Sequence, residues 1–77
     1  MLTLIMRGNH FYKKLGQRIS VERKLRDYTQ ERLALLTGMD RTYLARIEEG
    51  KANPSLKIIY KIARLFKLKV CELLKGV

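Results

Sequence analysis

The sequence predicts an all-α protein, a compact domain of five short helices. Three observations predict it. Apolar residues recur at spacings of three and four through most of the chain. Glycine, asparagine and small hydroxyl or acidic residues stand where that period breaks. No stretch alternates convincingly between apolar and polar, as a half-buried strand would. Hydrophobic residues make up 47% of the chain, enough to fold and too many for a disordered segment.

The first helix is expected from an N-cap at Asn9 to about Asp27, with Leu15, Ile19 and the stem of Arg23 on one face. Residues 1–10 read as an N-terminal extension whose structure, strand or tail, is left open; residues 11–77 read as the domain. Thr29 caps a second helix in which Leu33, Leu36 and Thr37 follow at helical spacing. Gly38 ends it, because glycine enters the left-handed conformation without a Cβ penalty. Asp40 then caps a third helix with Leu44 and Ile47 inward, closed by Gly50. Asn53-Pro54-Ser55 forms a turn and a cap. A fourth helix follows from Leu56 to Phe66, with Lys57, Lys61 and Arg64 on its outer face as a solvated stripe. A short fifth helix covers Val70 to Lys75.

Charge separates function classes. The chain holds 17 basic and 7 acidic residues, a net +10. A surplus of that size in a small domain points to a polyanion, most often nucleic acid. It is unevenly placed. Residues 1–27 carry +5 and residues 51–77 carry +6, while residues 28–50 carry −1. Flanking lysines supply salt-dependent grip on phosphates without reading sequence. The centre needs only a few well-placed forks.

The central segment, TQERLALLTGMDRTYLARIEEGK, has the spacing of two short helices joined by a tight turn, a helix-turn-helix. Ala34 supplies the small side chain needed where two helices cross, and Leu33, Met39, Leu44 and Ile47 interlock the pair. Arg41, Thr42, Ala45 and Arg46 fall on the outer face of the second helix. Arginine forks onto guanine O6 and N7, threonine offers a hydroxyl and a methyl, and alanine permits close approach.

With IARLFKLKVCELL after it, this segment resembles the Cro/C1-type (XRE-like) helix-turn-helix family of bacteria and their phages, over about Leu15 to Leu74. DRTY, the following IE and the later NPSL also resemble the controller proteins of restriction–modification systems. The resemblance implies a five-helix, lambda-repressor-like domain that binds pseudo-palindromic operators as a homodimer, with the recognition helix at about residues 40–49. It further implies base contacts from Arg41, Thr42 and Arg46, and phosphate contacts from Gln30, Tyr43, Lys51 and Asn53. A structural ion pair between Arg23 and Glu48 is implied as well. Lys67 stands where the family commonly has glycine, Lys69 where it has a small polar cap, and Glu22 where it has an apolar residue.

The apolar residues of the fourth helix and the last segment are too many for one small core, and Leu68, Val70, Leu73 and Leu74 are expected at a dimer interface. Cys71 has no partner for an intrachain disulfide, fits a reducing cytoplasm, and reads as a small hydrophobe in the core or interface. No metal, cofactor, catalytic arrangement or membrane span is expected. The expected partner is double-stranded DNA. Two other classes compete: an antitoxin-like module that binds DNA for autoregulation beside a toxin, and a basic domain acting on membranes or RNA.

Overall fold

A computed structural model describes residues 2–77, with side chains described from His10 onward. Among the described residues it contains five helices and no strand: α1 (Leu2–Leu25), α2 (Gln30–Thr37), α3 (Arg41–Glu48), α4 (Leu56–Leu65) and α5 (Val70–Leu73). The N-cap expected at Asn9 is not there. Asn9 lies inside α1, which spans 24 residues and passes through the expected boundary at residues 10 and 11 without a break. No proline interrupts residues 2–8, and the helix runs through Gly8 despite its low propensity.

Local chemistry sets the middle helices. The Thr29 hydroxyl accepts from the Arg32 backbone N–H at 3.0 Å, and the Ser55 hydroxyl accepts from that of Ile58 at 3.2 Å. Each satisfies one orphan donor of a first turn. Gly38 closes α2 at φ 72°. Asp40 holds the N-cap backbone position of α3, but its side chain makes no capping bond, contrary to expectation.

Leu15, Ile19, Leu33, Leu44, Ile47, Ile62, Phe66 and Leu73 form the sealed centre of the core. α1 packs on α3, and α4 packs on α2 and α5. One sequence expectation fails here. Leu73, expected at a dimer interface, is fully buried, because the single turn of α5 faces α1 and α4. Leu36 is 43% exposed, since Leu33 and Thr37 already fill the inner side of a two-turn helix. Of the two places expected for Cys71, core or interface, its exposure excludes the core.

Glu22 shows how α1 tolerates a carboxylate at a position expected to be apolar. It lies between two arginines, with Arg26 at 2.7 Å and Arg18 at 3.1 Å. Those arginines reach on to the far end of the chain. Arg18 donates to the Glu72 and Lys75 carbonyls, both at 3.0 Å. Arg26 donates to the Phe66 carbonyl at 2.9 Å and sits over the Phe66 ring at 4.8 Å. Carbonyls left over at the ends of α4 and α5 thus find cationic donors on α1.

The hydrogen bond from Arg26 holds the Glu22 carboxyl below the usual carboxylate range, helped by the charges of both arginines against the opposing effect of burial. A carboxyl depressed in the folded state stabilises it above the unfolded pKa, and that stability is lost as pH falls through the folded value. Glu22→Gln is therefore expected to cost about 1 kcal/mol at neutral pH. Its melting temperature should also fall less than that of the wild type between pH 7 and the acid range. Parallel acid limbs in thermal melts would remove Glu22 from the account.

Lys67 follows α4 at φ 59°, in the left-handed region that favours glycine. A lysine held there costs about 1–2 kcal/mol of backbone strain. Lys69 precedes α5 without a side-chain cap, and the Glu72 carboxylate instead accepts from its backbone N–H at 2.9 Å.

Candidate nucleic-acid interface

The motif is α2, a turn over Gly38, Met39 and Asp40, and α3. Leu33, Ala34, Leu44 and Ile47 are buried between the two helices and the rest of the core, and Met39 packs against them from the turn. With Leu44 and Ile47 pointing inward, helical geometry turns Thr42, Arg46 and Glu49 furthest outward, flanked by Ala45 and Arg41. Arg41, Thr42, Arg46 and Glu49 are exposed and Ala45 is half-buried. Glu49, on this outer face, was not singled out as a contact in the sequence. It places a carboxylate beside the readers, partly balanced by Lys51 at 3.9 Å.

Behind this face lies a part-buried network. Arg23 grips Glu48 with two nitrogens, Nε to Oε2 at 2.7 Å and Nη2 to Oε1 at 3.1 Å. Its remaining nitrogen, Nη1, donates to the Tyr28 carbonyl at 2.8 Å. Glu48 Oε1 also accepts from Gln30 Nε2 at 3.0 Å. The side chains of Arg23 and Glu48 are 10% and 6% exposed, so the pair is shielded from water. One carboxylate therefore ties α1, the end of α3 and the start of α2 together. Gln30 is oriented by it and has a second amide N–H to donate.

Arg41 stands across an open hollow of about 310 Å³ from the α2 N-terminus, lined also by Arg23, Thr29, Gln30 and Glu31. A guanidinium facing a helix N-terminus makes a local positive field suited to a phosphate group.

Arg46 differs from expectation. Its Nη2 donates to the Lys51 carbonyl at 2.9 Å, so part of this outward arginine holds the loop after α3. Tyr43 is half-buried against the core and not fully presented outward. Lys51 and Asn53 are exposed on the loop, which Pro54, buried, anchors.

Lys13 belongs to this rim as well. A Cβ on Gly50, at φ 77°, would fall 2.6 Å from the Lys13 Cα, so α1 passes directly over the loop that carries Lys51. The sequence signal was Gly50 itself, which serves close approach in addition to ending a helix. Of the seven basic residues before residue 28, Arg18, Arg23 and Arg26 donate inward, whereas Lys13 and Lys14 are exposed.

Among the described residues, no group of three or more His, Cys, Asp or Glu is arranged to hold a metal ion, and no helix is long and apolar enough to cross a membrane.

Residues 19–73 match the helix-turn-helix family. An uncharacterized HTH-type transcriptional regulator of Archaeoglobus fulgidus is 52% identical over 42 residues, covering 54% of this chain and 59% of that protein. Another, from Methanocaldococcus jannaschii, is 42% identical over 56 residues, covering 73% of this chain and 85% of its own length. The chain therefore spans little more than half of the first relative and most of the second. Among solved structures, the restriction-modification controller protein C.AhdI from Aeromonas hydrophila superposes with a TM-score of 0.77 at 39% identity. That match covers 80% of this chain and 94% of the controller.

Proposed function

This chain belongs to the Cro/C1-type (XRE-like) helix-turn-helix family, and we propose that it acts as a homodimer that reads a pseudo-palindromic operator in duplex DNA with α3 in the major groove. At the coarser level it is a transcriptional regulator with a helix-turn-helix DNA-binding domain. The relatives speak for a regulator rather than for an antitoxin.

The observation that carries the reading is the Arg23–Glu48–Gln30 network. It fixes a rigid two-helix reader whose outer face holds Arg41, Thr42, Ala45 and Arg46. In this reading Gln30, Lys51, Asn53 and Lys13 hold phosphates on either side of the groove, and Tyr43 supports the helix from its half-buried position. Base-edge forks then supply specificity and phosphate contacts supply register.

The dimer surface is reassigned from its expected centre. Leu73 is unavailable, and Leu68, Val70 and Leu74 are half-buried. Exposed apolar surface lies beside Val70: Leu56 is 71% and Tyr60 50% exposed, around an almost wholly apolar hollow of about 550 Å³. We place the twofold contact there, with Val70 and Leu74 at its edge. Two recognition helices then stand about 34 Å apart, one turn of the duplex.

Selection from random duplex DNA tests the reading, with sedimentation of the same protein. A two-armed site and a dimer are expected. Leu56→Glu, at an exposed position that folding does not use, should give folded monomers with severely weakened operator binding. Arg41→Ala should cost about 1–3 kcal/mol on the selected site and little on random DNA. Arg46→Ala also releases the loop and should weaken both. A wild-type monomer that binds a single half-site tightly would overturn the proposal.

A further inference from the structure

The flank of α4 opposite the proposed dimer contact carries a second surface, which DNA reading does not use. α2 and α4 leave an open groove of about 580 Å³ between them, lined by Leu35, Leu36, Lys61, Arg64 and Leu65 and floored by the turn at Gly38. Leu35 is 70% exposed and Leu36 43% exposed. One exposed leucine is ordinary. Here two adjacent ones border a hollow whose opposite wall is half apolar, through Leu65, and half cationic, through Lys61 and Arg64. No aspartate or glutamate lines it.

We propose that this groove docks an acidic amphipathic segment of a partner protein, its leucine-like side chains seated on Leu35, Leu36 and Leu65 and its carboxylates on Lys61 and Arg64. An amphipathic helix in a groove needs apolar anchors at spacings of three and four with charge along one edge. The groove is complementary on both counts: the leucines form one wall, and Lys61 and Arg64, three residues apart on a helix, form a cationic rail. The +10 of the chain adds long-range attraction for an acidic partner.

A nucleic-acid backbone fits worse. Leu35, Leu36 and Leu65 offer a phosphate nothing. Arg64 rests over Tyr60 in the free chain, 5.9 Å from the ring with a hydrogen bond to the hydroxyl at 3.4 Å, an exposed contact that it exchanges for the partner's carboxylate. The groove also lies at the C-terminal end of α2, whereas Gln30 and the hollow facing Arg41 lie at its N-terminal start. A partner seated there would leave the DNA-reading residues free. This inference stands apart from operator recognition, and the two fail separately.

The test is selection of a displayed library of random 16-residue peptides on the full chain, followed by amide shift mapping with the enriched peptides. Enrichment of sequences with Asp or Glu and leucine-like anchors at i and i+4 is expected, with shifts centred on Leu35, Leu36, Lys61 and Leu65. Leu35→Ser and Lys61→Glu should each weaken such a peptide about tenfold or more. Both positions are exposed, and operator binding by Leu35→Ser should be unchanged, which shows that the variant folds. Enrichment of basic peptides, no enrichment, or shifts confined to Leu56, Tyr60 and Val70 would overturn the proposal. So would a change in sedimentation for Leu35→Ser, which would make a second copy of the chain the occupant. Loss of random-duplex affinity in Lys61→Glu, with no peptide effect, would assign the rail to phosphate.

Discussion

Gly16→Ala should destabilise the protein by about 2–4 kcal/mol, although alanine is the better helix former by about 1 kcal/mol. Gly16 sits within α1, where glycine is a poor choice on propensity alone. The reason lies across the interface. A Cβ there would fall 2.2 Å from the Ile47 carbonyl oxygen and 2.6 Å from that of Glu48. Both obstacles are backbone, so no rotamer relieves the clash. Either α1 backs away from α3, opening the core at Leu15 and Ile19, or α3 shifts and moves the reading face. A domain of this size has only about 5–10 kcal/mol to lose. Urea unfolding at neutral pH would show a lower midpoint with little change in slope. A variant as stable as the wild type would mean that propensity outweighs contact and that the helices do not touch at Gly16.

Glu48→Ala should cost about 3–5 kcal/mol, because it strands the Arg23 guanidinium where water reaches poorly. The loss includes three hydrogen bonds to one carboxylate, from Arg23 Nε, Arg23 Nη2 and Gln30 Nε2. Replacing both partners with apolar residues, Arg23→Met with Glu48→Met, should cost much less than the two single changes combined, since no charge is then left unpaired. Glu48→Gln keeps the shape and loses the charge. It should weaken DNA binding beyond its effect on stability, because one remaining acceptor oxygen cannot hold both Arg23 and Gln30. Double-mutant cycles by chemical denaturation measure the coupling. A single-mutant cost below about 1 kcal/mol, the range of exposed pairs, would show that water screens the pair after all.

What could be read in advance was local. Thr29, Gly38, Gly50 and Ser55 mark helix ends through the bonds and dihedrals of one or two residues, and α2, α3 and α4 fall within a residue or so of expectation. What escaped depends on a second element. Leu73 is apolar at a position that periodicity cannot orient in a four-residue helix; only α1 and α4 decide that it turns inward. Arg46 was rightly read as exposed, but its tie to the Lys51 carbonyl depends on where the loop returns. Gly16 was invisible because an apolar pattern records side chains that are present, and the information at Gly16 is a side chain that is missing. The Arg23–Glu48 pair came from family resemblance; periodicity alone put only the stem of Arg23 on the inner face.

The two arginine ties from α1 bind the ends of the chain into one cooperative unit. A single turn such as α5 would ordinarily fray and exchange its amides on its own. Here Leu73 is sealed in the core and Arg18 holds the Glu72 and Lys75 carbonyls, across 54 and 57 residues of chain. α5 therefore opens when α1 leaves, and its amide protection follows global unfolding. If Val70 also lies at the edge of the subunit contact, assembly stabilises this same unit, and resistance to unfolding rises with protein concentration.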